Sequence, residues 1–363
     1  MENLIIFINY SHSIPTVLGL FGKENLEYIS EFNEKTFRDT TVQIYYHKKL
    51  NAKIYLYDNE NAFLNQSIEF FNQFNNKLIF VDCFGQNTSL IDVKLTNISN
   101  IKKCMIWPNG EVLHTSMIEP IKNNNYYFIL SSSKRPELEN DTNFHLDILL
   151  SIRYHKYYLG YYYLEELIHN IPITKYDINK PKLFSYIRTN EYSNWRTDII
   201  NNVDGLKSLL HPKNSANDAY DLTYTKYKHF EAINDYLYCN FNLIFETIDY
   251  RNPNEYFITE KTYKGLIFGK PFLLVAPYPV LNLLKDLGFY LINFEFLSKI
   301  ETSKDVIESI DNFTKWINNT NDGEIEERYN SMLEKSINNR KLLFNYLNDC
   351  KQNENLFEKL LNE

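Results

Sequence analysis

Thr259, Glu260 and Lys261 stand in a row inside residues 256–289, YFITEKTYKGLIFGKPFLLVAPYPVLNLLKDLGF, where an extended stretch gives way to helical spacing. Thr259 is of a type that caps a helix start, and 262–268 carries the helix on. In such a first turn the Glu260 carboxylate can accept sugar hydroxyls while the Lys261 ammonium meets phosphate oxygens. The free amides and the dipole at that end of a helix strengthen the attraction for an anion. The plain alternative is that Glu260 only caps the turn and Lys261 and Lys264 are solvated. Beyond the helix, 271–275 reads as a buried strand, 276–279 as a Pro-rich turn, and 280–287 as a second helix stopped by Gly288. In an open α/β sheet, a helix N-terminus at the carboxyl edge of the strands is where nucleotide phosphates bind.

The segment ITEKTYKGLIFGKPFLLVAPYPVLNLLKDLGF resembles the nucleotide-binding segment of fucosyltransferase-like glycosyltransferases with the GT-B fold, above all their divergent bacterial and viral members. In that family a Ser- or Thr-Glu-Lys turn opens the helix, a Gly-x-Pro step leads to the next strand, and a Leu-Gly-Phe helix end follows. The resemblance covers 257–289 and is faint elsewhere. It implies that Thr259, Glu260 and Lys261 belong to a donor site, with Glu260 and Lys261 contacting the ribose and diphosphate of a nucleotide sugar. A second stretch, Phe184-Ser185-Tyr186-Ile187-Arg188 followed by Trp195-Arg196, resembles the strand and arginine-bearing turn that open the C-terminal domain of the family. Arg188 at a strand end can neutralise a diphosphate, and Arg196 can cap or assist the nearby polar network. Guanidinium groups there would stabilise the charge that develops as a nucleoside diphosphate leaves. The alternative for Arg196 is a surface helix position. Glu246 lies where relatives carry a strand-terminal Glu ahead of the Glu-Lys helix, where it either binds the donor sugar, orders Lys261 or forms a structural salt bridge.

The fold class implied is α/β: GT-B, two Rossmann-like domains facing across a cleft, with C-terminal helices. The activity implied is transfer of a sugar from a nucleotide diphosphate donor to a hydroxyl of a glycan or glycolipid, by inverting displacement. A GDP-linked donor is favoured, and fucose is the first sugar to test. The alternative is a noncatalytic nucleotide-sugar or glycan-binding protein of the same fold. A general base is expected from the N-terminal half, with His12 after the first strand and Asp82 near the end of the third as the candidates. Either can equally hold a loop or cap a helix. The histidines form no HExxH pair, and Asp58-Asn59-Glu60 is not a strand-flanked DxD, so no metal and no further cofactor is expected. Gly19-Leu20-Phe21-Gly22, read as part of the first loop, lacks the dinucleotide and P-loop fingerprints.

The elements that must position these residues follow from length and pattern. A chain of 363 residues with 44% hydrophobic content calls for two cores. The net charge of -8 excludes a broad electrostatic grip on nucleic acid, so phosphate binding has to be local. Cys83, Cys104, Cys239 and Cys350 show no CxxC spacing, which argues for a reducing, cytoplasmic compartment, the host cytoplasm if the source is viral. The first 21 residues lack a basic leader and read as a buried strand. No stretch reaches the ~20 apolar residues of a spanning helix. The partners that the resemblance implies are the donor and a glycan or glycolipid acceptor, with peripheral contact to a glycolipid surface left open.

Strands are expected at 4–8, 53–57, 78–84, 103–107, 112–115 and 126–130, with a helix at 61–74. A helical region follows at 144–169, then a strand at 183–187, a helix at 194–210, a helix at 230–238 and a strand at 241–246. Two charged helices, 303–318 and 323–348, close the pattern. The expected domains are 1–175 on the acceptor side, 176–325 for the donor, and a helical tail at 326–363.

Overall fold

The run NLIIFI has no polar face, so the strand it forms, β1 (Asn3–Ile8), is suited to burial on both sides. Around it, in chain order, come α1 (Ser13–Phe21), β2 (Leu26–Asn33), β3 (Thr41–His47), β4 (Ala52–Tyr57), α2 (Glu60–Asn65), α3 (Ile68–Asn72), β5 (Lys77–Val81), α4 (Thr88–Leu95), β6 (Ile101–Trp107), β7 (Phe128–Ser131) and β8 (Phe144–Leu146). The computed structural model describes residues 2–8, 13–33, 41–57, 60–81, 88–107, 126–132, 142–147, 149–151, 153–154, 172–185, 194–210, 237–254, 257–349 and 351–363. The expected strand at 112–115 lies outside them, as does most of the expected helix at 230–238.

The first sheet has the order β2-β3-β4-β1-β5-β6-β7-β8. From β4 to β8 neighbouring strands run parallel, while β2 and β3 add an antiparallel meander at one edge. Because side chains alternate along a strand, Leu4, Ile6 and Ile8 enter one core with Phe63, Phe71 and Ile79. Ile5 and Phe7 enter another with Val17, Phe21, Phe80 and Phe357. The chain leaves β1 toward one side of the sheet and β5 toward the other, so the β1/β5 seam is its topological switch point. Ile8 and Val81 are register partners at the carboxyl end of that seam.

The second unit holds β9 (Leu183–Phe184), α5 (Asn194–Asn202), α6 (Leu206–Leu209), β10 (Phe241–Phe245), α7 (Glu260–Phe268), β11 (Phe272–Val275), α8 (Tyr278–Asp286), α9 (Asn293–Phe296) and α10 (Ser303–Asn319). The long α11 (Asp322–Asn348) follows, and α12 (Lys351–Asn362) lies in the first unit. The three strands are parallel in the order β11-β10-β9. Gly265 lets α7 lie close on β10, since a Cβ there would meet Ile244 Cδ1 at 2.5 Å. The Asn293 side chain closes the free edge of β11 by accepting from Leu274 N (2.9 Å) and donating to Leu274 O (3.1 Å). The architecture is thus mixed α/β, with two sheets and C-terminal helices.

Several elements differ from the sequence reading. Gly19 is in helix α1, not in a loop. The helix expected at 61–74 is two, because Ser67 caps a new start by accepting from Phe70 N (3.2 Å). The helix expected at 194–210 divides before Gly205, which has φ +75°. Residues 144–146, expected as the start of a helix, pair with β7 as an edge strand; there His145 stacks on Phe128 at 4.4 Å. Long-range pairing overrides their local spacing. The compact units are Met1–Tyr158 with Leu347–Glu363, and Leu159–Tyr346, in place of a break at 175/176 and a separate tail. Phe357 of α12 is fully buried, its ring 4.8 Å from Phe21 and 5.6 Å from Phe80, and Glu354 pairs with Lys49 at 3.1 Å.

Candidate functional site

At the carboxyl end of β10 the apolar Leu243, Ile244 and Phe245 give way to Glu246 and Thr247. Glu246 is fully buried, and its side chain turns toward the start of α7. Oε1 accepts from Thr259 N (3.0 Å), from Thr262 N (3.3 Å) and from the Thr262 hydroxyl. Oε2 accepts from the Thr259 hydroxyl (2.6 Å) and from Thr247 N (3.0 Å). Thr259 is the N-cap, and its Oγ1 in turn accepts from Lys261 N at 3.3 Å. Negative charge at this end of α7 complements the helix dipole.

Lys261 reaches back over the same turn and donates from Nζ to Thr247 Oγ1 at 3.0 Å. Thr247 is exposed, which puts this pair on the surface at the strand end. Arg196 is 6% exposed and donates from Nη2 to Glu246 O at 2.6 Å. Its guanidinium lies 5.3 Å from the Trp195 ring centre, and Trp195 itself packs edge-on to Phe245. Arg196 is therefore a buried partner of the strand end, not a surface helix residue. The far end of α7 is held by the opposite charge. Arg340 of α11 donates to Ile267 O (2.7 Å) and Phe268 O (2.6 Å), and Gly269 ends the helix at φ +60°.

Of the residues singled out in the sequence, Arg196, Glu246, Thr259 and Lys261 come together in this cluster, and Glu260 is the first residue of α7. His12, Asp82 and Arg188 lie outside the described residues. The positions that lead to His12 and Asp82 are the register partners Ile8 and Val81. Arg188 follows buried Ser185 at the end of β9, the strand beside β10.

No family model matches this chain, and no curated protein matches it.

Thr247, Thr262 and Arg340 were not picked out in the sequence. Thr262 sits three residues after a capping threonine, a spacing that marks a first turn and was the available signal for it. A separate cavity of about 540 Å³ lies between 174–180 and the first turn of α11, lined among others by Tyr176, Lys180, Asp322 and Glu326. Beside it Lys182 binds both Asp322 and the Tyr176 hydroxyl. Burial draws the Lys182 ammonium down, but these two partners outweigh it and leave its pKa raised. Among the described residues, no group of three or more His, Cys, Asp or Glu can hold a metal, and no helix is long and apolar enough to cross a membrane.

Proposed function

We propose that the chain is a nucleotide-sugar-dependent glycosyltransferase of GT-B architecture, acting on a GDP-linked donor and a glycan or glycolipid hydroxyl. The observation that carries this reading is the Lys261 ammonium on Thr247 at the carboxyl edge of a parallel sheet, beside the first turn of α7. An ammonium at that edge suits phosphate oxygens. In the reaction the acceptor hydroxyl attacks the anomeric carbon as the bond from that carbon to the diphosphate oxygen breaks. The nucleoside diphosphate leaves with the electron pair, and a base takes the acceptor proton. His12 and Asp82 are the base candidates, and Arg188 is a further cation for the leaving diphosphate.

Two experiments test the reading. GDP- and UDP-sugars are incubated with the chain and a panel of sugar acceptors, and products are followed by mass spectrometry. Transfer is expected, whereas binding without turnover would favour a noncatalytic nucleotide-sugar-binding protein. By calorimetry, Lys261→Ala is expected to weaken GDP binding by about 10- to 100-fold, the worth of a charge-assisted hydrogen bond. Unchanged affinity would remove Lys261 from the site.

A further inference from the structure

A helix N-terminus usually receives an anion through its unsatisfied amides. In α7 the Thr259 and Thr262 amides are already taken from within the protein. Glu246 accepts from the amides of Thr259, Thr262 and Thr247 and from both threonine hydroxyls. A carboxylate offers about four lone-pair sites, so its acceptor capacity is taken up. With no exposure to solvent, it cannot yield these donors to a ligand without being left as an unpaired buried carboxylate or moving the strand end. The same bond to Thr247 N fixes the residue on which Lys261 Nζ rests, and Arg196 fixes the Glu246 carbonyl.

We infer that Glu246 is a positioning residue: it holds the Thr259 and Thr262 amides for itself and, through Thr247, seats the Lys261 ammonium that grips the donor diphosphate. Side-chain charge, and not the Thr259 and Thr262 amides, then supplies the anion contact at this turn. The inference rests on the nucleotide-sugar reading above and adds to it how the site is built. Glu246→Gln tests the point chemically, because its NH2 cannot accept from Thr247 N and displaces the seat of Lys261.

The test is a set of GDP titrations by calorimetry on the full chain, with wild type, Lys261→Ala, Thr247→Val, Glu246→Gln and the doubles that combine each of the last two with Lys261→Ala. Thr247→Val is expected to weaken GDP binding by about 3- to 10-fold, the range of a single hydrogen bond, and Glu246→Gln by at least as much. Both losses are expected to vanish in the Lys261→Ala background, because both residues act through Lys261. A merely structural role would give losses that add. The amide resonances of Thr259 and Thr262 are expected to stay unmoved when GDP saturates the wild-type chain. Additive losses, tighter binding by Glu246→Gln, or GDP-induced shifts of those two amides would overturn the inference while leaving the nucleotide-sugar reading intact. A wild-type chain that binds neither GDP nor pyrophosphate would overturn both. Where Glu246→Gln does not fold, the Thr247→Val pair decides alone, since that side chain is exposed.

Discussion

Helices α7 and α10 both begin at a threonine cap, yet they close their first turns in different ways. In α10 the closure is local and exposed. Thr302 Oγ1 accepts from Asp305 N (3.3 Å), while Asp305 Oδ2 accepts from Thr302 N and Glu301 N (2.8 Å each). In α7 the closing carboxylate comes from another element, 13 residues before the cap, and is buried. A local capping box stabilises one helix and leaves its surroundings indifferent to it. A carboxylate brought in from the end of a strand ties the helix start to the sheet edge, so Lys261 and Thr247 hold their relation only while Glu246 does.

The largest expected effect breaks that tie. Glu246→Ala leaves buried amides and hydroxyls without an acceptor and is expected to lower unfolding stability by about 3 kcal/mol or more, measured by urea denaturation. A loss no larger than that from an exposed cap would erase the contrast between the two helices.

The next effect concerns the far end of α7, where Lys270 follows Gly269. Burial draws the Lys270 amine from its usual 10.5 down to about 7. The charged form therefore costs the folded state below that pKa, and the cost is relieved as pH rises from about 7 toward 10.5. Stability is expected to climb through that window by at most about 1.4 kcal/mol per pH unit from this group. Lys270→Met should flatten the climb in denaturation curves taken at several pH values. Arg340→Met, which removes the donor to the last carbonyls of α7, is expected to cost about 2 kcal/mol by the same urea measurement.

The smallest effects belong to α10. Thr302→Ala is expected to cost about 1 kcal/mol in the urea midpoint analysis. Backbone hydrogen bonding from Glu301, the largest cause, together with the Thr302 side chain and backbone, holds the Asp305 carboxyl below its ordinary pKa. Its contribution is present above the unfolded-state value and is lost as pH falls through the folded one. The difference between wild type and Thr302→Ala should therefore shrink in acid, and a constant difference would show that the box does not act through Asp305.

The same contrast explains what can be read from the sequence. Local signals carry the helix at 260–268, the strand after it, and the stop at Gly288. They also carry the two long helices that follow: each signal is a cap, an apolar run or a glycine within a few residues of what it specifies. The β2–β3 meander was not read, although the spaced Val42 and Ile44 of TVQIYYH gave a short signal for it. Residues 351–362 are legible only as part of a helical tail and not as a core element, because the apolar stripe of α12 has meaning only against Phe21 and Phe80 far away in the chain. At the site, Thr259 is legible as a cap because its partner Lys261 N is two residues on. The direction of the Glu246 side chain is not legible, because it depends on how α7 settles on β10, and nothing local distinguishes an inward carboxylate from a ligand. The inward Arg196 has the same origin: Trp195 and Phe245 turn its helix so that the guanidinium meets the strand end.

The seating of α12 against the first sheet has a consequence in time. The second unit is drawn from one continuous stretch, whereas the first needs residues 347–363 to fill its face at Phe21 and Phe80. During synthesis that apolar face waits uncovered while the whole intervening stretch is made, on the order of 10 to 40 s at ordinary elongation rates. The first unit's core thus closes only after 159–346 has been made, and the nascent chain carries an open hydrophobic surface for chaperones to find until α12 arrives.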